Sequence, residues 1–161
     1  MRLLVTLALC SLTLPAADSV LRGSDPVRYP WLDANEAVLR AVPAGDRVLI
    51  VSAARNSGQN PTVRLGGVHG TAQNVEIPGM VLIPGIASFA PKAFLPWVNG
   101  ATSGGLILDL NDGKTTPVPI RTPVAASALG KDVLAVSTRT PGGVRVHWFD
   151  LGSSTDRKSV V

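Results

Sequence analysis

An internal repeat is the feature that most constrains what this chain can fold into. A fixed period along a sequence indicates a repeat architecture, in which each unit buries its apolar face against its neighbours. Three matched pairs of segments define the repeat. VLIVS at Val48 matches VLAVS at Val133, 85 positions later. DL at Asp109 recurs 41 positions later at Asp150, and VEI at Val75 matches VPI at Val118, 43 positions later. Since the two shorter spacings are close to half of the longest, three units are visible.

Each unit contains four short runs of apolar and β-branched residues, separated by Gly, Asn, Asp and Pro. This pattern predicts four short antiparallel strands per unit, as in the blade of a propeller. We therefore predict an all-β fold, an open partial β-propeller of about three four-stranded antiparallel blades, at about 39–78, 86–120 and 124–155. Residues 18–38 form a lead-in segment. The stretch WLDANEAVLRAV also fits a short helix, but the repeat places its second half in the first strand.

One stretch resembles a known group of proteins. LILDLNDGKTTPVPI, a strand ending in Asp-Leu, a tight turn with Gly-Lys and another strand, is similar to the third and fourth strands of bacterial secreted β-propellers of the WD-repeat-like and quinoprotein-like kinds. The resemblance extends from about Leu39 onward and implies four-stranded blades. The WD dipeptide is absent, because Phe149 stands between Trp148 and Asp150, and the tryptophan-docking motif of quinoprotein blades is absent too. We predict no cofactor.

The N-terminus has the order of a secretory signal peptide. Arg2 precedes an apolar run from Leu3 to Leu14, and Pro15 and two alanines follow it. The run is too short to span a bilayer, and small residues suit signal peptidase. We predict a signal peptide over 1–17, cleaved next to Ala16 or Ala17, and an exported protein, periplasmic or extracellular. Lipidation of Cys10, the single cysteine, is an alternative, as are a membrane anchor and a buried N-terminal strand.

The C-terminal residues 156–161, DRKSVV, raise a different question. They correspond to the codons GAT CGG AAG AGC GTC GTG of a widely used sequencing adapter, in which the next codon is a stop. Since three blades cannot close a propeller ring of about 4–8 blades, we interpret 156–161 as an adapter-derived tail, and the chain as the N-terminal fragment of a longer propeller. The alternative is that KSVV forms the fourth strand of the third blade.

Charge does not indicate a polyanion partner. The formal net charge is +4, but Arg2 and the C-terminal tail supply part of it, and no run of like charges occurs in the remainder. We therefore predict no nucleic-acid partner. The sequence does not identify the partner, and a protein or a small-molecule ligand could bind on the loop face. We predict no membrane span.

The residues that most often perform chemistry are sparse. His69 and His147 lack further histidines or cysteines at ligand spacing, so no metal is predicted. The strand-end residues Asp109 and Asp150 are expected to accept hydrogen bonds from turn N–H groups, rather than to form a catalytic pair. We expect the tryptophans to pack in the core or between blades: Trp31, Trp97 and Trp148. No catalytic residue is assigned.

A site would lie on the loops between second and third strands, since these emerge with the inter-blade connections on one face, and loops on a rigid scaffold are where recognition is concentrated. The candidate ligand-face residues are Arg55, Asn56, Asn60, Asn99, Thr102 and Arg139. We favour a non-enzymatic binding or assembly module with an unknown ligand. The alternative is part of a propeller enzyme, of hydrolase or lactonase type, whose active site lies mostly in missing blades. Assembly of several chains into a ring is a third hypothesis.

Overall fold

The computed structural model describes residues 29–55, 60–67 and 69–152, together with the backbone of a strand over 156–160. The predicted signal peptide, Cys10 and Asn56 lie outside the described residues, so the expectations for them stay predictions. In the described part, no helix is long and apolar enough to cross a membrane.

The described chain forms three antiparallel sheets in sequence order. Sheet 1 has the order β1-β2-β3-β4, with bounds Glu36–Ala44, Arg47–Ala54, Thr62–Gly67 and Ala72–Asn74. Sheet 2 contains β5, β6, β7, β8 and β9, with bounds Met80–Val81, Ala87–Phe89, Lys92–Asn99, Thr102–Asp109 and Thr115–Val118. Sheet 3 has the order β10-β11-β12-β13, with bounds Val124–Leu129, Val133–Thr140, Gly143–Asp150 and Asp156–Val160. The predicted fold class, an all-β open arc of antiparallel sheets, is confirmed.

The innermost position of sheet 2 is divided between two strands. Both β5 and β6 pair with β7, and a short 3-10 turn over Ile83–Gly85 separates them. Pro84 explains the interruption, because its nitrogen carries no hydrogen for a ladder bond. Sheet 2 therefore begins at Met80, ahead of the expected start at about residue 86.

The first strand also begins earlier than expected. β1 starts at Glu36, and the residues before it form turns and not a helix. The Asn35 N–H donates to Oδ1 of Asp33 at 2.8 Å, and the Glu36 N–H donates to the Asp33 carbonyl at 3.0 Å. The helical alternative for WLDANEAVLRAV is therefore wrong.

Sheets 1 and 3 share an irregularity that fixes which of their residues are equivalent. In sheet 1, Val38 pairs with Ser52, and the register then shifts by one residue before Arg40. In sheet 3, Val124 pairs with Thr138, and the register shifts in the same way before Ala126. Ser52 is therefore equivalent to Thr138, not to Ser137 as the spacing of 85 implies. Val133, the first residue of β11, is therefore equivalent to Arg47, whereas the sequence match aligns it with Val48.

Two apolar clusters hold the arc together, one on each face of sheet 2. Alternation along β7 sends Ala93 and Leu95 into the cluster shared with sheet 1, and Phe94 into the cluster shared with sheet 3. Along β8, Ile107 joins Phe94, while Leu106 and Leu108 face sheet 1. A strand buried on both faces is expected to be apolar at every position, which explains the runs AFLPW and LIL.

Glycines in β8 make room for the aromatic side chains of β7. A Cβ added at Gly104 would collide with the Trp97 ring, and one added at Gly105 would collide with the Phe94 ring. The paired glycines of this strand are therefore required by side-chain packing across the sheet.

The outer faces of sheets 1 and 3 differ. On sheet 1, the Trp31 indole N–H donates to the Gly67 carbonyl at 3.0 Å, and the ring lies against Gly66. On sheet 3, Val133, Val144 and Trp148 are exposed. Packing was expected for all three tryptophans. Trp31 and Trp97 do pack, whereas Trp148 is 43% exposed in the described part of the chain, so packing between blades stays a prediction for Trp148.

Candidate functional site

The second-to-third-strand loops and the inter-sheet connections build two openings between neighbouring sheets. We call the one between sheets 1 and 2 the asparagine groove. Its volume is about 880 Å³, and the residues that line it come from the start of β3, the connection from β4 to β5, and the β7–β8 loop: Asn60–Val63, Asn74–Met80 and Val98–Gly100.

The asparagine groove contains two of the residues expected from sequence. Asn60 precedes β3 of sheet 1, and Asn99 ends β7 of sheet 2, yet both line this one groove. Asn74 adds a third side-chain amide. Asn99 is held in place, because its Nδ2 donates to the Pro78 carbonyl at 3.0 Å.

The remaining walls of the groove are mostly apolar. Ile77, Pro78, Met80 and Val98 supply the apolar surface, and Glu76 is the one charged side chain that lines it. Amides donate and accept hydrogen bonds without carrying charge. The groove therefore suits a neutral ligand that offers both donors and acceptors beside apolar groups.

The structure places the other candidate residues outside both openings. Arg55 follows β2, and its N–H donates to the Asn35 carbonyl at 2.9 Å. The Thr102 hydroxyl donates to the Asn99 carbonyl at 2.8 Å, so it stabilises the β7–β8 turn. Arg139 lies in β11, paired with Val144. Asn56 is outside the described residues. The ligand-face role of these residues stays a prediction.

The second opening, between sheets 2 and 3, has a different chemical character. We call it the arginine cleft. Its volume is about 380 Å³, and it is lined by Pro119–Thr122, Thr138, Thr140, Arg145, His147 and Phe149. No carboxylate is among these lining residues. The sequence carries no local motif for this cleft, because its residues come partly from the connection between β9 and β10 and partly from β11 and β12.

Buried polar residues mark equivalent places in sheets 1 and 3. Ser52 and Thr138 are the two fully buried polar residues in the described part of the chain. The Thr138 hydroxyl lies 3.4 Å from Nε2 of His147. The Ser52 hydroxyl lies 3.1 Å from Nη2 of Arg64, which also forms an ion pair with Glu36. The one available sequence signal was the recurrence of a hydroxyl residue 86 positions apart.

The histidines lie apart, and the strand-end aspartates form the turn bonds that the sequence predicts. His69 is exposed in the turn between β3 and β4, and His147 lies within β12. Oδ1 of Asp109 accepts from the Asn111 N–H at 2.8 Å, and Oδ1 of Asp150 accepts from the Gly152 N–H at 2.9 Å. The predicted Asx-type turn bonds are therefore confirmed. Among the described residues, no group of three or more metal-ligating side chains is present.

Comparison with known proteins supports the fold. No family model and no curated protein matches the chain. The chain is similar to a solved structure of the β-propeller domain of the Trilobed protease from Pyrococcus furiosus, described as having an open velcro topology. The TM-score is 0.61 at 13% sequence identity, and the match covers 78% of this chain and 42% of that one. The chain therefore spans less than half of that propeller, and its three sheets have the arrangement of an unclosed β-propeller.

Proposed function

We propose that this chain is part of an exported β-propeller that binds a ligand on its loop face, and that the asparagine groove accepts an extended, uncharged peptide segment. The observation that carries the proposal is the meeting of Asn60 and Asn99, from different sheets, in one groove of about 880 Å³. A volume of this size lies in the range of about 300–1,000 Å³ for ligand sites.

Peptide chemistry fits the lining of the groove. An extended peptide presents alternating backbone N–H and C=O groups, and side-chain amides satisfy both. The apolar contribution of Pro61, Ile77 and Met80 suits the apolar side chains of such a segment. Nδ2 of Asn99 already donates to the Pro78 carbonyl. We therefore assign the Asn99 Oδ1 to the ligand as an acceptor, and Asn60 and Asn74 as amides that both donate and accept.

A peptide library displayed on phage tests this proposal. Clones enriched on the 161-residue chain are expected to lose about tenfold or more in affinity for the double variant N60A/N74A, because two hydrogen-bonding partners are removed. Asn111→Ala is the matched control, since Asn111 lies in the β8–β9 turn away from the groove. Failure to enrich any clone, or equal binding to N60A/N74A, contradicts the proposal.

The alternative proposal is that the whole protein is a propeller enzyme, of hydrolase or lactonase type. The observation in its favour is that the similar propeller belongs to a protease. The full-length gene from the same DNA source distinguishes the two: acidic or histidine residues at equivalent strand positions of further blades support the enzyme, and turnover of a peptide or lactone by its product establishes it.

A longer propeller is supported by the exposed face of sheet 3. The pairing of Lys92 with Asp109 corresponds to that of Val133 with Asp150, so Ile107 and Trp148 are equivalent. Ile107 is covered by sheet 3, whereas Trp148 is 43% exposed. We infer that a further blade covers Trp148 in the full protein. Extending the chain with its genomic downstream sequence is expected to raise the melting temperature; an unchanged melting temperature contradicts this.

The origin of the C-terminal residues is part of the same proposal. We propose that residues 156–161 derive from adapter sequence, although the backbone of 156–160 pairs with β12 in the position of a fourth strand. Genomic DNA that encodes DRKSVV would refute this origin. Export is tested by expressing the chain with its own N-terminus in a bacterium: mass spectrometry is expected to show loss of 16 or 17 residues, and an intact Met1 would refute export.

A further inference from the structure

The arginine cleft gathers hydrogen-bond donors and positive charge without an anion. Its polar lining consists of two guanidinium groups, an imidazole and three hydroxyl groups: Arg121, Arg145, His147, Thr122, Thr138 and Thr140. Pro119, Ile120 and Phe149 form the apolar part of the wall. Among the described residues, the ion pairs are Arg64 with Glu36 and Lys114 with Asp112, so neither cleft arginine has a described carboxylate partner.

Sheet 1 shows what the equivalent positions hold when an anion is present. The shared bulge makes Ser52 equivalent to Thr138. Two residues earlier on the same strands, Ile50 pairs with Arg64 and Val136 pairs with His147. Arg64 and His147 are therefore equivalent. A hydroxyl group and a cationic or N–H-donating side chain recur at the same two places of both sheets.

The third member of the group differs between the sheets. Val38 and Val124 are equivalent, because each precedes the bulge of its sheet. Two residues before them, Glu36 in sheet 1 is therefore equivalent to Thr122 in sheet 3. In sheet 1 the Glu36 carboxylate accepts from Nη2 of Arg64 and lies 3.5 Å from the Ser52 hydroxyl. In sheet 3 the carboxylate is replaced by the hydroxyl group of Thr122, which lines the cleft.

We propose that the arginine cleft is a second binding site, which takes the carboxylate group of a ligand in the place that Glu36 occupies in sheet 1. Arg121 and Arg145 supply charge, and the hydrogen-bonded pair of Thr138 and His147 forms the polar part of the wall. Guanidinium groups bind carboxylates through paired N–H donors, which gives both strength and orientation. The remainder of the ligand lies against Phe149 and Ile120, so an apolar or aromatic carboxylic acid is favoured.

Two sources of such a carboxylate fit the cleft, a free organic acid and the C-terminus of a peptide. This site is separate from the asparagine groove, so it does not depend on the proposed function. Binding to the arginine cleft is expected to be unaffected by N60A/N74A, which makes failure of either proposal distinguishable from failure of the other.

Calorimetric titration of the 161-residue chain tests the proposal with four probes: N-acetyl-phenylalanine, Gly-Gly-Phe with a free C-terminus, Gly-Gly-Phe amide and inorganic phosphate. The two carboxylates are expected to bind and the amide is not. Tighter binding of Gly-Gly-Phe identifies peptide ends as the source, and tighter binding of N-acetyl-phenylalanine identifies free acids. Equal affinity for the acid and amide forms of the peptide, binding of phosphate alone, or no binding of either carboxylate overturns the proposal.

Variants then locate the site. Arg145→Gln and Arg121→Gln are each expected to weaken carboxylate binding about tenfold or more, because a partner of the charge is lost. Thr122→Glu restores the sheet 1 arrangement and is expected to abolish binding while leaving the circular dichroism spectrum unchanged. Arg40→Gln, on an exposed β1 side chain outside the cleft, is the matched control. Retained affinity in folded Thr122→Glu and in both arginine variants overturns the proposal.

Discussion

Sheets 1 and 3 repeat one backbone design with two different chemical outcomes. Both have a second strand flanked by antiparallel neighbours, and both have a bulge at the same place in their first strand. In sheet 1 the polar group beside the bulge is completed by Glu36, whereas in sheet 3 Thr122 stands at that position. The two sheets therefore share the register of their strands but not the charge of the side chain at this position.

The outer faces of the two sheets also differ in how far their apolar side chains are covered. The lead-in segment brings Trp31 onto sheet 1, where the ring lies against Gly66 and its centroid is 6.0 Å from the Arg64 guanidinium carbon. Sheet 3 has no described segment in that role, and its Val144 is 67% exposed. One terminal sheet of the arc is therefore covered from within the chain, and the other presents an apolar surface.

Replacing the two tryptophans is expected to give the largest contrast. Trp31→Ala removes a packed ring, its hydrogen bond to Gly67 and the contact with Arg64, which is expected to lower the free energy of unfolding by about 3 kcal/mol. Trp148→Ala removes a half-exposed ring and is expected to cost about 1 kcal/mol or less. Urea denaturation measures both values. Equal losses for the two variants would show that the outer faces are energetically alike.

Glycine substitution tests the closeness of packing on sheet 1. A Cβ at Gly66 would lie 2.8 Å from the Ala72 Cβ and 2.9 Å from Cε2 of Trp31, so Gly66→Ala is expected to cost about 2 kcal/mol through overpacking. Gly142→Ala, in the turn between β11 and β12, is the control, because nothing lies within 4 Å of the added Cβ. The measurement is the same urea midpoint and slope. An unchanged free energy of unfolding in Gly66→Ala would show that Trp31 does not pack closely against this strand.

The charged group of sheet 1 is expected to contribute less. Glu36→Gln leaves the largely buried Arg64 without its carboxylate, which is expected to cost about 1–2 kcal/mol at pH 7. Asp112→Asn is the matched control, since Lys114 holds the pKa of the exposed Asp112 below its ordinary value but solvent screens the pair. No measurable change in the urea midpoint is expected for Asp112→Asn at pH 7. A Glu36→Gln variant as stable as the parent would indicate that Arg64 has sufficient alternative partners.

The exposed face of sheet 3 is expected to affect association more than stability. V133T/V144T keeps β-branched side chains in the strands, so the free energy of unfolding is expected to change by no more than about 0.5 kcal/mol. Self-association of the chain is expected to fall, because apolar surface is replaced by hydroxyl groups. Sedimentation velocity over a concentration series measures this. Unchanged association in the double variant would show that the chains associate through another surface.

The local features of the chain were predictable from its sequence. Four runs per unit, punctuated by turn residues, were sufficient for the all-β arc, because strand alternation and turn preferences act over a few residues. The hydrogen bonds of Asp109 and Asp150 to turn N–H groups followed for the same reason. The repeat also placed Asn60 and Asn99 in equivalent loops on one face, but it did not predict that they line one groove.

Only the tertiary structure decided which residues of the repeat are equivalent and what they meet. The shift that aligns Ser52 with Thr138 depends on a bulge, which changes pairing by one residue and leaves almost no mark on composition. The exposure of Trp148 depends on which surfaces pack against sheet 3, which the local sequence does not specify. The arginine cleft depends on tertiary structure too, because Arg121, which follows β9, and Arg145, in β12, line one opening only in the folded chain. Sequence specifies the period of each strand, whereas side-chain encounters across sheets are set by register and packing over long distances in the chain.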